Sequence, residues 1–249
     1  MSKIALITGV TSGIGEAAAE KFLLHGWKVI GTGRRIERLD ALVSKFSLDK
    51  FFPLVFDVRD VASIEELISS IPADKKNIDL LINNAGLALG TSAAQSSSLK
   101  QWQQMIETNV TGLAALTHKL LPTLIEQKGA IINIGSVAAT YPYPGGNVYG
   151  GTKAFVSQFS LGLRSDLQGT GVRVTCLEPG MTETEFTLVR TSGDQQASDT
   201  LYQNANPLKG SDLANTLYWI ANLPAHMNVN RLEIMTVNQS FGPFQVYRD

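Results

Sequence analysis

The chain has 249 residues, a formal net charge of −1 and a hydrophobic fraction of 44%. That length suits one large α/β domain, and the balanced charge, with no basic block, excludes the polyanion-binding surface that a nucleic acid needs. No apolar run is long enough for a bilayer, and residues 4–7 are cut short by Thr8-Gly9, so neither a membrane span nor a signal peptide is expected. The single cysteine, Cys176, permits no intrachain disulfide. Between Val174 and Leu177 it reads as an inert core thiol, which fits a soluble protein of the reducing cytoplasm.

Residues 3–8 read as a buried strand that runs into Gly9-Val10-Thr11-Ser12-Gly13-Ile14-Gly15 and then a helix over 16–25. Glycines placed there let the backbone turn tightly against a ligand, and the amides of the helix N-terminus then face a phosphate. The same glycines also serve any βα turn that needs positive φ. A second strand over 27–32 leads to Gly33-Arg34-Arg35-Ile36-Glu37-Arg38. At this distance past the glycines of a dinucleotide site, an acid bonds a ribose 2′-hydroxyl, whereas arginine accommodates a 2′-phosphate. Arg34 and Arg35, with no acid before them, point to NADP(H). The alternative is that they open a solvated helix.

A third strand, 51–56, ends in Asp57-Val58, where Asp57 either accepts from an adenine amino group or caps the next helix. The fourth strand, 78–82, closes in Asn83-Asn84-Ala85-Gly86; small residues there allow backbone approach, and asparagine amides can tie neighbouring strands. After a loop over 87–98, a long amphipathic run covers 102–127. It carries Asn109 in its interior, which points to a kink or an ordered water, or else to a polar face.

A fifth strand from residue 130 delivers Ser136 to a carboxyl edge, where open α/β sheets bind ligands. A helix starting near Asn147 places Tyr149 and Lys153 one turn apart on one face. An ammonium there favours the phenolate, so Tyr149 is expected to act as a general acid/base near neutral pH. The helix continues to 167, and a sixth strand over 172–177 is broken at Glu178-Pro179-Gly180. A polar, helix-prone flap spans 181–206, a helix 211–222 and a last strand 231–236. This alternation predicts a single Rossmann-type domain over 1–249, with a doubly wound parallel sheet of about seven strands and helices on both faces. The three histidines read as structural, and no metal site is expected.

Taken together, Thr8-Gly9-x-x-x-Gly13-Ile14-Gly15, Asn83-Asn84-Ala85-Gly86, Asn109, Ser136, Tyr149-x-x-x-Lys153 and Pro179-Gly180 resemble the short-chain dehydrogenase/reductase family. The resemblance implies a catalytic tetrad of Asn109, Ser136, Tyr149 and Lys153. In it Tyr149 exchanges the substrate proton and Ser136 donates to the substrate oxygen, while Lys153 lowers the phenol's pKa and holds the nicotinamide ribose. Asn109 holds a water that links Lys153 to solvent. The resemblance also implies NADP contacts from Gly9, Thr11, Ser12, Gly13, Ile14, Gly15, Arg34, Arg35, Asp57, Val58, Asn83, Tyr149, Lys153, Pro179, Gly180, Thr182 and Thr184.

The C-terminal half is more particular. Gly145-Gly146-Asn147-Val148-Tyr149, Glu183-Thr184-Glu185-Phe186, Leu223-Pro224-Ala225-His226 and Gln239-Ser240 are similar to the branch that acts on small 3-hydroxy acids. Its members are the NADP-dependent 3-hydroxy acid, L-allo-threonine and serine dehydrogenases, which also reduce malonic semialdehyde. Family resemblance further implies a homotetramer, for which the apolar Phe241-Gly242-Pro243-Phe244 offers a packing surface. A substrate carboxylate needs a cation, and Arg190 on the flap is expected to supply it, unless it is simply a solvated arginine. Substrate contacts are then Ser136, Tyr149 and Arg190. Beside this reading stand a reductase of a bulkier ketone (a 3-oxoacyl thioester or a sugar) and a non-catalytic NADP(H)-binding sensor, which would be expected to lack a tetrad residue.

Overall fold

Every side chain of β1 (Ile4–Thr8) is buried, as a strand covered on both faces requires. Ile4 and Leu6 join one core while Ala5 and Ile7 join the other, because successive strand side chains point to opposite faces. The computed structural model describes residues 2–241. After β1 come α1 (Gly13–Leu24), β2 (Lys28–Gly33), α2 (Ile36–Phe46), β3 (Phe51–Val55), α3 (Ile64–Ser69), β4 (Leu80–Asn83), α4 (Leu99–Ile106) and α5 (Leu113–Glu126). They are followed by β5 (Ala130–Ile134), α6 (Asn147–Asp166), β6 (Arg173–Pro179), β7 (Thr182–Glu183), α7 (Phe186–Arg190), α8 (Gln195–Tyr202), β8 (Leu208–Lys209), α9 (Gly210–Ala221) and β9 (Arg231–Ile234).

Seven parallel strands form one sheet in the order β3-β2-β1-β4-β5-β6-β9. This is the Rossmann-type, doubly wound arrangement that the alternation of elements predicts. Phe22 of α1, Leu39 of α2 and Leu213 and Leu217 of α9 pack with Ala5 and Ile7 on one face. On the other face Ile64 of α3, Leu116 and Leu120 of α5 and Leu163 of α6 pack with Leu6, Ile30 and Leu81. The strand order reverses between β1 and β4, and it is at such a reversal that the connections part and leave a crevice.

Three departures from the expected elements have local causes. The helical run over 102–127 is broken into α4 and α5 by a π-type turn, Glu107–Gly112, which contains the expected irregularity at Asn109. β6 runs on through Glu178-Pro179 because Arg231 of β9 holds the fully buried Glu178 carboxylate at 2.8 Å. Pro179 needs no donor at the strand end, and Gly180 N–H takes over the pairing by donating to the Ile234 carbonyl at 2.7 Å. The flap carries α7 and α8, and its ends are tied by pairing of β7 with β8, Thr182 opposite Leu208 and Glu183 opposite Lys209. Of the apolar tail, Phe241 lies 4.6 Å from the Tyr141 ring, and residues 242–244 lie outside the described residues. Among the described residues no helix is long and apolar enough to cross a membrane.

Gly112 closes the π-type turn where α5 meets the loop after β3, and a Cβ on it would run into the Val58 carbonyl. Gly112→Ala is therefore expected to lower stability by about 2 kcal/mol, the usual cost of overpacking against backbone. The urea midpoint reads it, and an unchanged midpoint would show that the turn moves freely away from Val58.

Candidate active site

A cleft of about 900 Å³ opens at the carboxyl ends of the strands around this reversal. Its wall is the turn after β1, where Gly9 (φ 73°) and Gly13 (φ 57°) adopt the left-handed conformation that glycine tolerates. Thr11, Ser12 and Ile14 line it with them, as do Val58, Pro179, Gly180, Thr182 and Thr184. Gly15 does not line the cleft. A Cβ there would collide with the Gly9 carbonyl and the Asn84 amide, so Gly15 lets α1 close on the turn.

Asn83 is also placed away from the cleft. Its buried amide donates to Thr117 Oγ1 and Asn133 Oδ1, both at 2.8 Å, and ties β4 to α5 and β5. The cleft is lined instead by Asn84, whose Nδ2 donates to the carbonyls of Thr8 (2.8 Å) and Gly9 (3.2 Å). Of the two asparagines, the one just past the end of β4 is free to face the crevice.

Arg34 and Arg35 both line the cleft, in different states. Arg34 is 62% exposed, and its Nη1 lies 3.7 Å from Asp57 Oδ2. Arg35 is engaged: Nη2 donates to the Thr11 carbonyl at 2.9 Å, and Nη1 donates to Glu185 Oε2 of the flap at 2.8 Å. Asp57 neither caps a helix nor stands alone. Its carboxylate accepts from Arg59 Nη2 at 2.6 Å and Nε at 3.1 Å, and that guanidinium holds it below its ordinary pKa.

Deeper in the cleft lie Ser136, just past β5, and Tyr149 and Lys153 on α6. Tyr149 is 8% and Lys153 5% exposed. Lys153 Nζ donates to the Ile134 carbonyl at 2.7 Å and lies 5.9 Å from the centre of the Tyr149 ring. The expected lowering of the phenol by this ammonium is not what the structure shows. Burial dominates and raises the Tyr149 pKa, opposed by the Ser136 hydroxyl and the Arg190 guanidinium, while Tyr143 adds to the rise. The same burial lowers Lys153 to about 8. Cys176, behind them, is pushed up to about 12, again mainly by burial, which suits an inert thiol.

Asn109 is 1% exposed and lies behind the cleft wall. Its Oδ1 accepts from Leu87 N–H at 2.9 Å, and its Nδ2 donates to the Leu87 carbonyl at 2.8 Å and to Thr152 Oγ1 at 3.0 Å. The widened π-type turn thus carries its side chain to the segment that follows β4 and to α6. A Cβ on Gly86 would sit 3.3 Å from Asn109 Oδ1 and 3.4 Å from Lys153 Nζ, so glycine keeps the space between them clear.

Arg190 enters from the flap. Its Nε donates to the Gly90 carbonyl at 3.3 Å, Gly90 N–H donates back to the Arg190 carbonyl at 3.1 Å, and the guanidinium stacks 5.1 Å from the centre of the Tyr143 ring. Tyr143 was not among the expected site residues. The signal for it is an aromatic between Pro142 and Pro144, a stiff loop just ahead of α6. Gln239 was likewise unassigned; its Oε1 accepts from Met181 N–H at 2.7 Å and fills the space that a side chain on Gly180 would need.

The model of a family described as short chain dehydrogenase matches residues 3–195. Over all 249 residues of both chains the protein is 60% identical to serine 3-dehydrogenase of Agrobacterium fabrum. It is 52% identical to sulfoacetaldehyde reductase 2 of Chromohalobacter salexigens, again over the whole of both chains. A closed form of serine dehydrogenase complexed with NADP+ superposes with a TM-score of 0.97 at 49% identity, covering 99% of this chain and all of that one. With a parallel sheet that reverses at β1 and β4, and a buried tyrosine and lysine on one helix facing the crevice, this chain belongs to the short-chain dehydrogenase family.

Proposed function

We propose that this protein is an NADP-dependent dehydrogenase that acts on the hydroxyl-bearing carbon of a small 3-hydroxy acid, of the L-serine, L-allo-threonine or 3-hydroxypropionate kind, or reduces the corresponding semialdehyde. The observation that carries this reading is a buried phenol, Tyr149, that lines one cleft with the Ser136 hydroxyl and with Arg190 of the flap. A proton-transfer group, a hydroxyl and a cation thus share one cleft, as oxidation of an alcohol that bears a carboxylate requires. The full-length likeness to a serine 3-dehydrogenase supports it.

The cleft fits the cofactor. The hydroxyls of Thr32 and Thr108 are buried in its wall without a partner, and the turn at Gly9 and Gly13 presents backbone where a phosphate would lie. Arg34, with Arg35, would take the 2′-phosphate, Asp57 and Val58 would border the adenine, and residues Pro179, Gly180, Thr182 and Thr184 would flank the nicotinamide. Bound there, NADP(H) supplies the hydride chemistry. Tyr149 takes the hydroxyl proton in oxidation and returns it in reduction. Ser136 donates to the oxygen on which charge develops. Lys153 would hold the ribose, and Asn109 stands behind it, bonded to Leu87 and Thr152. Arg190 holds the carboxylate in a bidentate pair.

Arg190 stacked on Tyr143 is equally suited to a sulfonate, and the likeness to a sulfoacetaldehyde reductase makes that acid the second reading. We further place the protein in the cytoplasm as a homotetramer. The lone buried thiol supports the first, and the half-exposed Trp219 and Phe155 and the exposed Ile106 support the second as apolar surface available to a neighbouring subunit.

In an assay of NADP+ reduction, wild type is expected to turn over L-serine, and Tyr149→Phe to lose about 10³-fold in kcat while still binding NADPH. Arg190→Ala is expected to raise KM for L-serine about tenfold, the scale of a charged hydrogen bond. An unchanged KM removes Arg190 from the substrate site, and turnover of sulfoacetaldehyde alone moves the assignment to the sulfonate. Burial of Lys153 also sets a stability profile for the protein alone. Below about pH 8 the ammonium is charged in folded and unfolded chains alike, whereas between about 8 and its ordinary 10.5 only the unfolded chain keeps the proton. Stability therefore rises with pH across that window, and from pH 8 to 10 wild type is expected to gain about 2 kcal/mol relative to Lys153→Met in urea unfolding. A flat difference would show that the folded lysine titrates normally.

A further inference from the structure

Glu185, immediately before α7 on the flap, is not part of the chemistry above, yet it has two charged partners. Its Oε2 accepts from Arg35 Nη1 at 2.8 Å and its Oε1 from Arg38 Nη2 at 2.7 Å. Both arginines, at the start of α2, also donate to the Thr11 carbonyl of the glycine turn, Arg35 at 2.9 Å and Arg38 at 2.8 Å. One carboxylate thus joins the flap to the turn through two guanidinium groups. Those groups hold Glu185 below its ordinary pKa, so it stays ionised.

The charges around this clasp do not balance. Arg34, Arg35, Arg38 and Arg59 meet the carboxylates of Asp57 and Glu185, with Glu107 acting on Arg59 from further off, so positive charge is in excess at the mouth lined by Arg34 and Arg35. A phosphate monoester brings the opposite charge, close to a dianion near neutral pH. Arg38 does not line the cleft, whereas Arg35 does and has its Nε and Nη2 committed to Thr11. The Nη1 of Arg35, the group given to Glu185, is thus the part of Arg35 a phosphate would recruit.

We infer that Glu185 is an anionic latch that closes the substrate flap on the nucleotide-binding turn and competes with the adenosine 2′-phosphate for Arg35. Arg38 is its keeper, retaining Glu185 when Arg35 turns to the phosphate. The inference rests on the NADP(H) reading above. It makes Glu185 a positioning residue with two separable effects. It favours the closed flap that brings Arg190 to Tyr149, and it weakens binding of any cofactor that carries a 2′-phosphate, leaving one that lacks it unaffected.

The test is Glu185→Gln, which keeps the size of the side chain, removes its charge and leaves one acceptor where there were two. Fluorescence titration with NADPH and NADH, paired with tryptic cleavage after Arg190, reads both effects. The variant is expected to bind NADPH about fivefold tighter, the scale of one partly exposed charge pair, with NADH unchanged, and to be cut faster at Arg190. A merely structural glutamate would shift both cofactors alike. Equal shifts, no shift, or weaker NADPH binding overturns the competition, and unchanged cleavage overturns the latch. A wild type that binds NADH as tightly as NADPH overturns the NADP(H) reading and the latch with it. A wild type that prefers NADPH yet oxidises no hydroxy acid leaves the latch standing and removes only the substrate assignment.

Discussion

The site depends first on how two neighbouring strands, β1 and β4, are held where their chains part. Thr8 Oγ1 accepts from the backbone N–H of Asn84 at 3.0 Å and of Ala85 at 2.9 Å, while the Asn84 side chain donates back to the Thr8 and Gly9 carbonyls. The absent side chain at Gly15 lets α1 approach these same atoms. Were that knot loosened, the glycine turn that lines the cleft and the segment that follows β4 would move independently. As it stands, a continuous line of contacts leads from the knot through Leu87, which Asn109 grips by both its N–H and its carbonyl, to Gly90, which holds Arg190. The flap is positioned at Arg190 by this line from the strand reversal and at its two ends by pairing of β7 with β8.

Much of this was legible in the residues, because the signals are local. The unbroken apolar run of β1, glycines between a strand and a helix, and a tyrosine one turn ahead of a lysine each follow from the geometry of one element. The irregularity at Asn109 was legible for the same reason, since a buried amide inside a helix must find partners and the turn widens to let it. What was not legible is which distant groups meet. Glu185 and Arg35 are 150 positions apart and Glu178 and Arg231 are 53 apart, and no periodicity within either segment encodes the meeting. Asn83 was the asparagine expected at the cofactor, and it is Asn84 that lines the cleft. The pleat decides between them, turning the first into the sheet and leaving the second at its edge.

The Tyr149–Lys153 pair shows where spacing misleads. One helical turn brings the two side chains onto one face, but it does not say that their polar ends meet. Here the lysine reaches past the ring to the last carbonyl of β5, and burial is the largest influence on both groups. The neutral forms of both are favoured by the same cause, which acts on an acid and a base in opposite directions. A phenol kept protonated in this way gives up its proton only when a further charge or a hydrogen-bond donor comes close.

Arg190 already opposes the rise of the phenol's pKa without overcoming it, and it comes with the flap. The guanidinium that lowers the pKa of Tyr149 is, on the function proposed, the same one that pairs with the substrate's acid group, so the two compete for one positive charge. When the anion pairs with Arg190 the phenol loses part of that support and holds its proton more firmly. On that function the protonated phenol is the form that donates to a carbonyl oxygen in reduction, whereas oxidation requires the phenol to be ionised first. A flap that has swung away removes the guanidinium and the substrate's anchor together. Closure of α7 over the cleft and readiness of Tyr149 to exchange a proton are therefore two consequences of a single placement, that of Arg190 between Gly90 and Tyr143.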